Sequence, residues 1–228
     1  MKTPFHHNFS NFLTKRFMWL FFSLYKKCFE GTKFKYKGKE HEFLIDRYNM
    51  TICNERQVEI PIIRAELPQN ILEVGNVLQH YGAGWDVVDK YEKGKGVINC
   101  DITRYNPNKK YDKIVSISTL EHLGEKTGHS KQKILKAIKH LKSLLNKGGK
   151  LIFTVPLGWN SDMDDLIHKN KLGVEMRFMK INKDGGWEEV DMSQIMEYGY
   201  NDCEYIDKME YGYPFPFANA IMIGEYVK

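Results

Sequence analysis

The sequence predicts an α/β fold: a mostly parallel sheet of seven strands with helices on both faces, preceded by an N-terminal helix and a β-hairpin. Near-continuous apolar runs recur from Asn70 onward as "NILEVG", "WDVVD", "GVINCD", "DKIVSIS" and "KLIFTVP", the pattern of strands buried on both faces. Between the last two lies "SKQKILKAIKHLKSLLNKGG", where Ile134, Leu135, Ile138, Leu141, Leu144 and Leu145 fall at helical spacing with lysines on the other face. Strands that alternate with helices in this way run parallel and are joined by crossovers.

The first third of the chain carries an apolar segment, "RFMWLFFSLYKKCF", which starts at Arg16 and whose uncharged run extends from Phe17 to Tyr25. That run is about half the ~20 residues a bilayer span needs. Lys26 and Lys27 follow where a signal peptide would place small residues and a cleavage site, so the segment reads as mature structure. Its aromatic face, flanked by Lys15, Arg16, Lys26 and Lys27, suits a helix packed on the domain or over its active site, or peripheral contact with a membrane surface.

"FKYKGKEHEFLIDRYN" reads as a hairpin turning at Lys37-Gly38-Lys39, with glycine supplying a positive φ. "ERQVEIPIIRAEL" leads toward the core, and Pro68 breaks the chain before the strand Asn70 to Val74. Only a short connection separates Gly75 from Asp86, so the first crossover helix is clipped to about two or three turns. In the long helix Ser130 suits the N-cap and Gly148-Gly149 the stop. From Gly173 to Tyr205 "VEMRFMKIN" is the best strand and "DMSQIMEYGY" the best helix, and "ANAIMIGEYV" closes the chain as a strand. The organisation expected is a basic extension over residues 1–68, packing on a core domain over 69–228.

The 228 residues, 42% hydrophobic and 13% aromatic, are enough for one core with such an elaboration. Net charge is 34 − 29 = +5; residues 1–68 hold 12 basic and 7 acidic side chains and the remainder 22 of each, so the whole excess lies in the extension. An anionic partner would therefore meet the extension rather than the core. Cysteines at 28, 53, 100 and 203 form no close pair, which gives no support to a zinc site or a disulfide framework and points to a reducing, cytoplasmic setting. No metal is expected.

In an open parallel sheet the ligand lies outside the carboxyl ends of the strands. Here those ends carry Glu73 with Gly75, then Asp89, Asp101, and Ser116 to Ser118. A carboxylate after the second strand can accept two ribose hydroxyls, and one after the third can accept an amino group on a base. Glu73 in the first turn would repel a pyrophosphate, so a nucleoside without phosphates fits better.

Taken together, "LEVGN", "VVDKYE", "NCDI", "YDKIVSISTLEHLG" and "LKSLLNKGGKLIFTVP" resemble the class I S-adenosylmethionine-dependent methyltransferases, over roughly Asn70 to Asn160. The resemblance implies a Rossmann-like sheet and S-adenosyl-L-methionine as cofactor. It implies that Glu73, Gly75 and Asn76 form the first turn, beside the methionine part. Asp89 would bind the ribose, with Asp86 and Glu92 near enough to compete; Asp101 and Ile102 would hold the adenine, and Ser118 would approach the methionine moiety. The family's turn usually has a second glycine where Val77 stands and often a third at Gln79. Either the turn is rearranged, with Asn76 taking the awkward dihedrals, or the cofactor is held weakly; rearrangement is favoured because the other motifs are present.

Methyl transfer needs a positioned acceptor and, for a hydroxyl, a base. His122 is the natural base because imidazole titrates near neutrality, with Glu121 as its partner or substitute. His80 and Tyr81, after the first turn, are candidates to face the methyl group. Trp159 and Asn160 in "PLGWN", with Tyr213 and Phe215 in "YGYPFPFAN", suit an acceptor pocket with stacking surfaces, as for a sugar ring. The chain also looks similar to methyltransferases found with carbohydrate-modifying enzymes. The acceptor expected is a hydroxyl of a sugar or another small metabolite, a surface glycan or its precursor, and not nucleic acid: the Asn/Asp-Pro-Pro-aromatic motif of nucleobase amino methylation is replaced by Ser116 to Thr119. The alternatives are an inactive methyltransferase-like binding module and an RNA methyltransferase gripping phosphates with the basic extension. A dinucleotide-dependent oxidoreductase would need the G-x-G-x-x-G that is absent here.

Overall fold

The computed structural model describes residues 22–46, 48, 51, 54–65, 67–68, 70–82, 84–124, 128, 130–182, 186–197, 218 and 220–228. The chain divides into two compact units, one of Met1–Ile62 with Arg177–Ile221 and one of Ile63–Met176 with Met222–Lys228.

The second unit holds the strands whose ends form the candidate site. These are β3 (Ile71–Val74), β4 (Asp86–Asp89), β5 (Val97–Asn99), β6 (Tyr111–Ile117) and β7 (Leu145–Pro156), and most of β10 (Ala220–Val227). β3 pairs in parallel with β4 and β6, β4 with β5, and β6 with β7. All four residues of β3 are buried, as a strand covered on both faces requires. Helix α3 (Ser130–Leu144) buries Ile134, Ala137, Ile138, Leu141 and Leu144 on one stripe, the four Ile and Leu side chains each worth up to ~1.5–3 kcal/mol by removal from water. Helix α4 (Ser161–His168) follows β7 and buries Met163, Leu166 and Ile167. In β10, Gly224 leaves room for a ring: a Cβ there would lie 2.5 Å from Phe153.

The full strand order is β5-β4-β3-β6-β7-β10-β8-β9, with β8 at Glu175–Ile181 and β9 at Trp187–Val190. It is a mostly parallel, Rossmann-like sheet with one strand more than the seven expected. The addition is β9, the antiparallel hairpin partner of β8.

In the first unit, β1 (Lys33–Tyr36) and β2 (Lys39–Glu42) form the expected hairpin. Both residues of its turn, Lys37 at φ 51° and Gly38 at φ 71°, are left-handed, as a type I′ turn demands. Phe34 packs on Phe43, their ring centres 5.0 Å apart, and the Lys37 amide donates to Glu189 Oε2 at 3.0 Å. The unit also holds helices α1 (Phe22–Phe29) and α5 (Met192–Glu197) and most of α2 (Arg56–Arg64). Pro61 sits inside α2 and has no N–H for the carbonyl of Gln57; that carbonyl accepts the Leu44 amide at 3.1 Å instead. No helix of the described residues is long and apolar enough to cross a membrane. Residues 1–21, which include the first six of the apolar segment, lie outside the described residues; its remainder forms α1.

Two local expectations are corrected. The connection after Gly75 has no two- or three-turn helix, only a 3-10 turn over Leu78–Tyr81. Gly148 and Gly149 do not stop the long helix; β7 begins at Leu145, directly after α3, and the glycines lie within it. Gly149 is needed because a Cβ would stand 2.9 Å from the Tyr111 carbonyl, and the Gly148 amide donates to the Lys228 carbonyl at 2.8 Å.

Candidate functional site

The chain winds outward from β3 to β4 to β5 and then returns to the other side of β3 as β6. The reversal opens a crevice between the carboxyl ends of β3 and β6. Gly75 ends β3 at φ 85°, its amide donating to the Val88 carbonyl at 2.9 Å. Across from it lies Thr119, whose Oγ1 would be 2.1 Å from a Cβ at position 75. Ser118, at the end of β6, is buried and takes φ 41°, a costly conformation for a non-glycine residue. Such strain tends to collect at functional sites.

Glu73 explains the turn that follows Gly75. Its carboxylate is 2% exposed, and Oε1 accepts the amides of Val77, at 2.7 Å, and Leu78, while Oε2 accepts the Trp85 indole N–H at 2.9 Å. Burial pushes the carboxyl up from its ordinary value, and the three donors oppose that shift. By gathering the amides of Val77 and Leu78, Glu73 bends the chain into the 3-10 turn, which is why no longer helix forms. Val77 has φ −111°, ordinary for any L-residue, and is buried in the core, so no glycine is required there. The rearrangement does not use Asn76 in a left-handed conformation: positive φ among the described non-glycine residues is confined to Lys37, Ser118 and Asn170.

At the end of β4, Asp89 Oδ1 accepts the amides of Tyr91 and Glu92, each at 2.7 Å, and no described residue bonds its other oxygen. Asp101 is more fully engaged. Its Oδ1 caps the 3-10 turn Ile102–Arg104 by accepting the Thr103 amide and hydroxyl, and its Oδ2 pairs with Lys90 Nζ at 3.0 Å. Burial pushes Asp101 up, but the bonds from Thr103 and Lys90 outweigh it and hold the carboxyl down to about 2. Ile102 beside it is buried.

On the other side of the crevice, the 3-10 turn Leu120–His122 follows β6 and the loop Leu157–Asn160 follows β7. Together they gather His122, Glu121, Trp159 and Asn160. The His122 and Trp159 rings meet edge to face, 5.2 Å between centres, and His122 Nε2 lies 3.7 Å from Glu121 Oε1. His122 is about a third exposed and Glu121 buried, so the imidazole faces outward over an acid. Asn160 is the N-cap of α4, accepting the Asp162 and Met163 amides, and its Nδ2 donates to the Glu121 carbonyl.

Sequence reading missed Asp164, in the first turn of α4. It is buried, accepts the Gly158 amide at 3.3 Å, and burial pushes its carboxyl up to about 7. An acid of that value, bonded to the amide of the residue that precedes Trp159 in the chain, can hold or release a proton near neutrality. The available signal was Asn160 followed by acids at 162 and 164 and apolar residues at 163, 166 and 167, a capped amphipathic helix. Thr119 and Trp85, which shape the first turn, gave no sequence signal.

His80 is exposed, and Tyr81 is half-buried with the Arg64 guanidinium 5.6 Å from its ring centre. Tyr213 and Phe215 lie outside the described residues. Among the described residues, no group of three or more His, Cys, Asp or Glu is placed to hold a metal.

No family model matches the sequence, and no curated protein does. Among solved structures the chain is similar to the N-methyltransferase NodS from Bradyrhizobium japonicum WM9 in complex with S-adenosyl-L-homocysteine. That likeness has 11% identity and a TM-score of 0.43, and covers 73% of this chain and 81% of the other. The chain is also similar to the plantazolicin methyltransferase BpumL, in complex with a triazolic desmethylPZN analogue and S-adenosyl-L-homocysteine. The values there are 12% identity and a TM-score of 0.40, over 73% and 79% of the two chains. A third likeness, to the sugar N-methyltransferase KedS8 from Streptoalloteichus sp., has 12% identity and a TM-score of 0.30, over 40% of this chain and 43% of the other. All three are methyltransferases, and at such identities the likeness assigns no residue of this chain a role.

Proposed function

We propose that this protein is an S-adenosylmethionine-dependent methyltransferase whose acceptor is a hydroxyl of a sugar or another small metabolite, such as a surface glycan or its precursor. One observation carries the reading. Asp89 ends the strand next to the switch point with one oxygen fixed in a turn and the other unbonded, and Gly75, with its positive φ, stands at the switch point itself. That arrangement suits a ribose with no phosphate attached.

When bound, the cofactor supplies an electrophilic methyl group on a sulfonium. Asp89 accepts the ribose hydroxyls, Gly75 lets the backbone come close, and Ser118 borders the methionine part. Ile102 offers an apolar surface to the adenine. Both oxygens of Asp101 are already bonded, so an adenine amino group there must share them with Lys90 or Thr103. His122 takes the proton of the acceptor hydroxyl, oriented by Trp159 and backed by the Glu121 carboxylate. Aromatic surface at Trp159 suits the face of a sugar ring.

Calorimetric titration with S-adenosylmethionine and S-adenosylhomocysteine tests the reading. A Kd near ~1 µM is expected, with Asp89→Ala weakening binding by ~10-fold or more as a charge-assisted hydrogen bond is lost. Asp101→Ala is the parallel variant. Absence of binding at millimolar ligand would refute the reading and favour a module without turnover.

A further inference from the structure

We propose that Asn76 and Gln79 are positioning residues of the cofactor site, which strap down the loop Lys90–Gly96 and through it fix the carboxylate of Asp89. The inference rests on the cofactor reading above and goes further, assigning a purpose to the side chain that stands in place of the third glycine.

The loop "KYEKGKG" carries three lysines and two glycines, a composition with little tendency to hold one conformation. In the structure it is tied at both ends. Asn76 Nδ2 donates to Glu92 Oε1 at 2.7 Å, and Gln79 Nε2 donates to the Lys95 carbonyl at 2.9 Å. The loop lies against both side chains: a Cβ on Gly94 would be in ordinary contact, 4.0 Å, with Asn76 Nδ2 and Gln79 Oε1, and Gly96 takes φ 81°, a conformation that glycine adopts without strain.

Glu92 is the junction. Its carboxylate is held by Asn76, its carbonyl accepts Asn99 Nδ2 at 2.6 Å, and its amide donates to Asp89 Oδ1. Asn99 also donates to the Asp89 carbonyl at 3.1 Å. The Asp89 side chain is therefore oriented by a loop anchored to the turn after β3 and to β5. A glycine at position 79 would let the backbone nearer the ligand but would release one anchor. Gln79 exchanges close approach for preorganisation of the acid, which lowers the ordering cost of binding.

The test is calorimetric titration with S-adenosylhomocysteine of the parent, Asn76→Ala, Gln79→Ala, Asp89→Asn and the Gln79→Ala/Asp89→Asn double variant, with urea unfolding of each. Loss of either anchor should weaken binding roughly 3- to 10-fold, the loss of about one hydrogen bond's worth of ordering. In the Asp89→Asn background the same Gln79 substitution should cost less than ~2-fold, because its effect runs through that carboxylate. A general loosening of the fold would instead lower stability and leave the two effects additive. Unchanged affinity of both single variants, or an additive double variant, overturns the inference while the cofactor reading stands. A parent chain that does not bind the ligand overturns both.

Discussion

Replacing Asp164 by asparagine removes a buried charge while keeping the oxygen that accepts the Gly158 amide. The parent carboxyl has 7% of its residue surface exposed, and burial raises it from an ordinary 3.8 to about 7. A carboxyl raised in this way binds more protons folded than unfolded between those values. Its contribution to stability is fully present below the unfolded pKa and is lost as pH rises through the folded one. The shift of about 3 pH units, at ~1.4 kcal/mol each, makes the ionised group cost about 4 kcal/mol at pH 8 and close to nothing near pH 4. Asparagine carries no charge at either pH, so Asp164→Asn should be more stable than the parent by up to about 4 kcal/mol at pH 8, with little difference at pH 4. Urea unfolding of both proteins at the two pH values measures this. Glu55, also pushed up to about 7 by burial and the neighbouring Glu59, is common to both and cancels in the difference. A gain independent of pH would show that burial does not shift the carboxyl, and a loss at pH 8 would show that the carboxylate is ionised and held by a partner; either result would overturn the reasoning from burial.

Glu73→Gln should destabilise the fold by about 1–3 kcal/mol in urea unfolding, although it removes a buried acid. One amide oxygen cannot accept from Val77, Leu78 and Trp85 together, and a buried donor is left unpaired. Adding Trp85→Phe deletes the third donor, so the cost of Glu73→Gln should shrink in that background. Gly75→Ala places a Cβ 2.1 Å from Thr119 Oγ1 at φ 85°, a loss of roughly 2–5 kcal/mol from backbone strain and overpacking combined. Thr119→Gly in the same chain should recover the packing part alone, as read by the change in melting temperature.

The fold was legible because its signal is local. Four consecutive buried residues in β3 and a stripe of apolar residues along α3 each declare their element within a few residues of chain. The polar strand ends were legible for the same reason, since position along a parallel strand fixes which residues reach the carboxyl edge. α4 and β9 were not anticipated: the eight residues of α4 make barely two turns, its signal resting on the cap at Asn160, and β9 has two exposed glutamates at its centre in place of an apolar run.

Sequence by itself determined the alternation of strand and helix, the order of acids at Glu73, Asp89 and Asp101, and the juxtaposition of Glu121 with His122. Tertiary structure alone decided what those groups bond to. Glu73 spends its oxygens on a turn, Asp101 on a cap and a lysine, and only Asp89 keeps an unbonded oxygen among these three acids. The absent glycines show the same division. Their loss was visible in the sequence, but its meaning depended on Trp85, Glu92 and Lys95, 12 to 16 residues beyond the groups they bond. Hydrogen bonds of a buried acid or amide are satisfied by whatever the fold brings near, and no local pattern records that.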